Sequence, residues 1–145
     1  MVENTKMISF RDISNGIGHL TPIESEIDIP FAVKRIYYIT QVPKNVTRGF
    51  HSHRNLEQVL VCLNGEVKIR VKTPDDEDVI TLRNDSVGLY IGNMVWREMF
   101  DFSDQAVLLV LASAHYNEAD YIRDYISYEQ EAQTYFEHSR LILRS

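Results

Sequence analysis

Cysteine is nearly absent: Cys62 is the only one in 145 residues. It sits inside the apolar run Gln58-Val-Leu-Val-Cys-Leu63, where a buried strand residue is expected. A lone cysteine excludes an internal disulfide and fits a reducing, cytoplasmic compartment. No apolar run approaches the ~20 residues that a membrane-spanning helix needs. The first ten residues hold no long apolar core of the kind a secretion signal carries. Neither export nor a membrane partner is therefore expected. Basic charge is also short, with 15 Lys and Arg against 21 Asp and Glu, a net charge of −6. General binding to nucleic acid wants a basic surface, so no nucleic-acid partner is expected; a small basic pocket for one phosphorylated ligand stays open. Repeats, low-complexity tracts and linkers are missing. The length and the 44% hydrophobic content suit one domain over residues 1–145 with a sizeable core.

What is present is strand pattern. Met7–Arg11 alternates enough for a strand, Asn15–Gly18 reads as a flexible turn, and His19–Glu24 as extended chain. Lys34–Thr40 is rich in β-branched and aromatic residues. Glu66–Lys72 alternates cleanly, with Val67, Ile69 and Val71 on one face. Thr73–Asp78 reads as a solvated turn before a strand at Val79–Leu82. Ser86–Gly92, Met94–Phe102 and Ala106–Ala112 follow as further strands. From Glu118 onward Gly and Pro vanish, and Tyr121, Tyr125, Tyr128 and Ala132 recur at helical spacing. Many short strands with turn signals predict an all-β sandwich or barrel, closed by a C-terminal helix.

The stretch from Arg48 to Gly65 organises the chain. In a strand, side chains alternate across the sheet, so His51 and His53 share a face. Asn64-Gly65 tolerates positive φ and reads as a tight hairpin turn. Two imidazoles aimed into one cavity can bind a metal or move protons.

Gly49-x-His51-x-His53-x-x-x-Glu57 followed by Gly65 resembles the first cupin motif, and Gly88–Gly92 leading into Val95-Trp-Arg-Glu-Met99 takes the place of the second. The resemblance implies a jelly roll of two antiparallel sheets. Metal-binding cupins complete their ligand set with a histidine from the second motif. Here Arg97 or its neighbours take that place, and a guanidinium repels a divalent cation, so no metal is expected. Taken together, Arg48–His53, Glu57–Gly65, Val87–Gly92, Val95–Phe102 and Asp120–Arg123 resemble the dTDP-4-oxo-6-deoxyglucose 3,4-ketoisomerases over about residues 19–125. That family implies a dTDP-sugar substrate, a homodimer with exchanged N-terminal strands, and no cofactor. Arg97 and His19–Glu24 resemble the branch making the gluco product. Ile17 departs from the pattern, which carries Tyr there in that branch and Arg in the other.

The implied reaction moves a ketone from C4 to C3 through an enediol, a proton-transfer task suited to imidazole at neutral pH. On this reading His51 is the base at C3, and His53 shuttles the proton or orients the sugar. Tyr37 donates from its hydroxyl, and Arg97 stabilises the oxyanion and shapes the face at C4. Glu57 is expected to accept a hydrogen bond from a histidine or an arginine. Arg35 and Arg48 suit the diphosphate. Trp96 packs in the core or lines the sugar site, and Ile17 falls at a substrate-contacting position. Arg123 has no assigned role, and His19, His115 and His138 are expected in solvent or packing. The expected pathway builds 3-amino-3,6-dideoxyhexoses for a surface polysaccharide, such as a lipopolysaccharide O-antigen, or for a glycosylated metabolite. The competing readings are a dTDP-sugar 3,5-epimerase, a non-catalytic sugar-nucleotide-binding cupin and a metal cupin.

Overall fold

A computed structural model describes residues 1–144. Twelve strands and one long helix follow in order: β1 (Thr5–Ser9), β2 (Ile13–Ser14), β3 (His19–Leu20), β4 (Arg35–Thr40), β5 (Arg48–His53), β6 (Gln58–Asn64), β7 (Val67–Thr73), β8 (Asp76–Leu82), β9 (Val87–Ile91), β10 (Trp96–Phe100), β11 (Val107–Ala112), β12 (Tyr121–Ile122) and α1 (Tyr125–Arg144). Two five-stranded antiparallel sheets form, in the orders β1-β9-β6-β11-β4 and β12-β5-β10-β7-β8; β2 and β3 make a small separate ribbon. Most connections step from one sheet to the other, which is the jelly-roll pattern. Among the described residues no helix is long and apolar enough to cross a membrane.

Strand alternation builds three apolar layers. Leu60, Cys62, Val67, Ile69, Val71, Leu89 and Leu108 fill the space between the sheets. Val59 and Val61 point the other way, under Phe10, Ile29 and Phe31 of the N-terminal segment. On the outer face of the second sheet, Trp96 and Ile122 lie beneath Tyr128, Ala132 and Phe136 of α1. Those three helical residues recur every fourth position, so one stripe of the helix is buried. The Asp124 carboxylate starts α1 by accepting from the Ser127 amide at 2.9 Å. The Tyr128 hydroxyl then donates toward two backbone carbonyls, Met94 at 2.8 Å and Lys72 at 2.9 Å.

Four local expectations are corrected. The first strand lies at Thr5–Ser9 rather than Met7–Arg11, because its pairing with β9 ends at Ser9 opposite Val87. The expected turn over Thr73–Asp78 is shorter, since the β7–β8 ladder already pairs Thr73 with Asp76. Asn64-Gly65 is a corner between sheets, not a hairpin, because β6 and β7 belong to different sheets. Gly65 has φ +72°, and a Cβ there would lie 3.0 Å from the Ala106 backbone, so the corner needs glycine. Finally, Tyr121 is not helical. A 3-10 turn at Glu118–Asp120 and the short β12 precede α1, and β12 pairs Tyr121 with His53 and Ile122 with Ser52.

Candidate active site

The inner faces of β4, β5, β6, β10 and β12 bring one set of polar side chains together. On β4, Arg35, Tyr37 and Ile39 face inward while Ile36 and Tyr38 are exposed. On β10, Arg97 and Met99 face inward while Trp96 and Glu98 face outward. Plain alternation along β5 would put Arg48 on the face opposite His51. A bulge changes this: Arg97 pairs with His51, but Glu98 pairs with Gly49 and Met99 with Arg48, leaving Phe50 as the extra residue. Gly49 and Phe50 take φ +97° and +57° to make it. A Cβ on Gly49 would sit 2.9 Å from the Arg97 carbonyl oxygen, so this close approach requires glycine. The result is a cleft of about 400 Å³ lined by Arg35, Tyr37, Arg48, His51, Met99, Tyr121 and Arg123. A smaller lobe of about 150 Å³ opens behind His53, bounded by Arg35, His115, Asp120 and Tyr121.

His51 and His53 stand edge to face, with ring centroids 4.9 Å apart. Tyr121 touches both rings, at 5.0 Å and 4.2 Å between centroids. Burial, reinforced by the Arg97 charge, pushes His51 down to about 3. The same causes, with His51 added, push His53 down further. Both rings are therefore neutral at physiological pH, the state in which an imidazole can take up a proton. The His51 Nδ1 and both His53 nitrogens are buried without a hydrogen-bond partner among the described residues. Buried polar atoms are rarely left so, and their lone pairs and N–H groups are available to a ligand.

Arg97 is 1% exposed yet well bonded. Its Nη1 donates to Gln58 Oε1 at 2.6 Å, and its Nη2 donates to the Val95 carbonyl at 3.0 Å. Burial holds its guanidinium down to about 10, still protonated at neutral pH. Gln58 Nε2 in turn donates to the Tyr37 hydroxyl at 3.0 Å. Asp120 stands 3.5 Å from His53 Nδ1, anchored by the Asn55 amide at 2.9 Å and the Leu56 amide at 3.1 Å. At the mouth, Arg35 lies over the Tyr37 ring and Arg123 over the Tyr121 ring. Arg123 also bonds Glu118 at 2.7 Å.

Of the residues expected at a site, His51, His53, Tyr37, Arg97, Arg35 and Arg48 meet here. Glu57, Trp96 and Ile17 do not line the cleft of their own chain: Glu57 is corrected by its position, Trp96 takes the core-packing alternative, and Ile17 stands apart from that cleft. Glu57 shares parity with Val59, on the outer face of its sheet; it accepts from the Tyr90 hydroxyl at 2.5 Å, not from a histidine or an arginine. Trp96 neighbours Arg97 and so points the opposite way, 3% exposed under α1, with Nε1 bonded to Glu98. Ile17 is 90% exposed at the tip of the β2–β3 ribbon, away from the cleft of its own chain. Three residues were not anticipated. Gln58 could have been found by counting back by twos from Cys62 and Leu60. Asp120 and Tyr121 were hidden by the helical spacing of the tyrosines that follow.

The metal question turns on the donors. Glu57, the carboxylate a metal-binding cupin would use, is on the wrong face, and a buried cation stands beside the histidines. Among the described residues no group of three or more His, Cys, Asp or Glu is arranged to hold a metal ion.

Comparison with known proteins agrees with this architecture. The family model described as FdtA, WxcM-like, C-terminal, matches residues 3–133. The TDP-4-oxo-6-deoxy-alpha-D-glucose-3,4-oxoisomerase of Aneurinibacillus thermoaerophilus is 46% identical over 125 residues, 86% of this chain and 90% of that protein. Among solved structures, the sugar 3,4-ketoisomerase QdtA of Thermoanaerobacterium thermosaccharolyticum, in complex with TDP, is 61% identical with a TM-score of 0.91, covering 94% of this chain and 99% of that one. The WlaRB TDP-quinovose 3,4-ketoisomerase of Campylobacter jejuni is 41% identical with a TM-score of 0.86, covering 89% and 99%. With that match across fold and sequence, the chain belongs to the FdtA family of cupin-type sugar-nucleotide 3,4-ketoisomerases.

Proposed function

We propose that the protein converts dTDP-4-oxo-6-deoxyglucose to dTDP-3-oxo-6-deoxyglucose by histidine-mediated proton transfer. The observation that carries this reading is a pair of neutral imidazoles, three of their four ring nitrogens without a hydrogen-bond partner, between a cleft rimmed by guanidinium groups and the smaller lobe behind it. His51 removes the C3 proton, which the neighbouring carbonyl acidifies. Negative charge develops on O4, close to the Tyr37 hydroxyl and under the field of Arg97. The proton on O3 passes to O4 through His53, C4 takes up a solvent-derived proton on the face opposite His51 to leave the ketone at C3, and His51 releases the C3 proton to solvent. Arg35, Arg48 and Arg123 line the cleft, and their charge suits a diphosphate. Arg97 supports delivery of the proton to the face that gives the gluco configuration. The product suits a downstream aminotransferase on the way to a 3-amino-3,6-dideoxyhexose.

The chain also acts as a homodimer on this reading. Residues 11–20 are exposed throughout, including Ile13, Ile17 and Leu20, so only a second copy could bring Ile17 to a cleft. Light scattering during gel filtration tests the dimer. The activity is tested by proton NMR of dTDP-4-oxo-6-deoxyglucose incubated with the protein in D2O, with and without chelator. A 3-oxo product with deuterium at C4 is expected in both, and the H4 coupling in a matched H2O run reads its configuration. Exchange at C3 and C5 with the ketone retained at C4 would instead mark a 3,5-epimerase.

A further inference from the structure

We propose that Gln58 is a positioning residue which, held by Arg97, makes the Tyr37 hydroxyl a one-way hydrogen-bond donor into the cleft. The inference rests on the ketoisomerase reading and adds to it a residue on the outer side of the reacting groups. Its basis is the direction of each hydrogen bond in one buried chain. A guanidinium has donors and no acceptor, so the Gln58 atom 2.6 Å from Arg97 Nη1 must be the carbonyl Oε1. Arg97 thereby removes the usual ambiguity about which way a glutamine amide points. The amide nitrogen, Nε2, must then face Tyr37, and it donates to the phenol oxygen at 3.0 Å.

That donation occupies an oxygen lone pair of Tyr37 and leaves its hydrogen free to be given elsewhere. Among the described residues nothing accepts it, and Tyr37 lines the cleft beside His51. The hydroxyl is thus set to donate to a ligand oxygen rather than to accept from one. As His51 takes the C3 proton, charge grows on O4 and this hydrogen bond strengthens, which lowers the barrier rather than merely holding the substrate. The positive charge of Arg97 polarises the amide in the same sense, so each link favours the next. Gln58 is 2% exposed and does not itself line the cleft, so it acts through Tyr37 and not on the sugar.

The informative variant is Gln58→Glu, nearly the same shape and still able to bond Arg97. Its carboxylate accepts only, so it would draw the Tyr37 hydrogen away from the cleft. We expect kcat to fall 10- to 100-fold while KM and the affinity for TDP change less than 3-fold. Tyr37→Phe should cost about as much, and the double variant no more than Tyr37→Phe alone. A Gln58→Glu enzyme within 2-fold of wild type, or losses that multiply in the double variant, would overturn the proposal. An independent readout uses 3-fluorotyrosine-labelled protein, with the Tyr37 resonance assigned by Tyr37→Phe. The phenol should titrate at higher pH in Gln58→Glu than in wild type, and an equal or lower pH would overturn the hydrogen-bond direction. This titration needs no turnover. A wild-type protein that leaves the keto sugar unchanged would therefore sink the ketoisomerase reading while the titration still judged the Gln58 arrangement.

Discussion

Two groups of buried polar side chains lie side by side in this protein, and they are treated in opposite ways. Arg97, Gln58 and Tyr37 form a chain in which the guanidinium and both ends of the amide find partners. His51 and His53, packed against them, leave three ring nitrogens unpartnered. A bonded polar network in a low-dielectric interior holds a shape, whereas unpaired polar atoms there cost stability. The first group is arranged to keep the cleft rigid. The second carries the uncompensated cost that a reactive site can bear, and its neutrality follows from that same burial together with the charge of the first group.

The strongest way to sharpen the contrast is His51→Asn. On the proposed role of His51 as the base at C3, this substitution should lower kcat by about 10²–10⁴-fold. The melting temperature should stay close to that of wild type, because Asn keeps a polar group where the His51 Nδ1 already lacks a partner. A large loss of stability in this variant would mean that the histidine pair is structural after all. Arg97→Met attacks the other group and should lower stability. It strips partners from Gln58 Oε1 and the Val95 carbonyl, a cost of about 1–3 kcal/mol for each acceptor left bare. With the guanidinium gone, the His51 pKa should climb back toward its ordinary value, and the acid limb of kcat/KM should move up with it. Denaturant titration and a pH–rate profile read these two effects.

Acid unfolding separates the groups by sign. Both histidine pKa values are lowered in the folded state, that of His51 to about 3. Below pH ~6.5 the unfolded chain therefore binds protons that the folded chain refuses. Stability is fully present above that pH and falls as pH drops toward 3, by up to about 1.4 kcal/mol per pH unit for each histidine. His51→Asn should flatten its share of the slope. If the slope between pH 6 and pH 4 is the same in wild type and variant, His51 is not held neutral.

Smaller effects test the supports. Tyr128→Phe removes the hydroxyl that ties α1 to the Met94 and Lys72 carbonyls, and should cost about 1–2 kcal/mol by chemical denaturation. Because Met94 precedes Val95 and Arg97, a modest drop in kcat should accompany it. The least effect is expected from Glu57→Gln. Glu57 bonds Tyr90 on the outer face, so steady-state activity should stay within 2-fold. A tenfold loss there would return Glu57 to the site and break the contrast between the faces.

Strand periodicity accounts for most of what could be read without coordinates. Alternation is local, so the common face of His51 and His53, the inward row Val67, Ile69 and Val71, and the apolar run through Cys62 were all legible. Errors fell where nonlocal contacts decide. Tyr121 sits at helical spacing from Tyr125, yet the free edge of β5 offered it strand hydrogen bonds, and it became part of the cleft. Glu57 fits a ligand position in a motif, but parity relative to Gln58 turns it outward. Trp96 could not be assigned until Arg97 took the inner face. Arg48 reaches the cleft only because Phe50 is the extra residue of a bulge, which is a property of the pairing with β10.

The sequence by itself determined the class of fold, the histidine pair and the family, since these rest on local alternation, turn chemistry and several ordered motifs. Tertiary structure alone decided which polar groups are bonded and which are left bare. Strand register chooses each neighbour, and burial sets the dielectric that makes one imidazole neutral and one guanidinium a fixed donor. Those are relations between residues as distant in the chain as Tyr37, Gln58 and Arg97, and no local pattern encodes them.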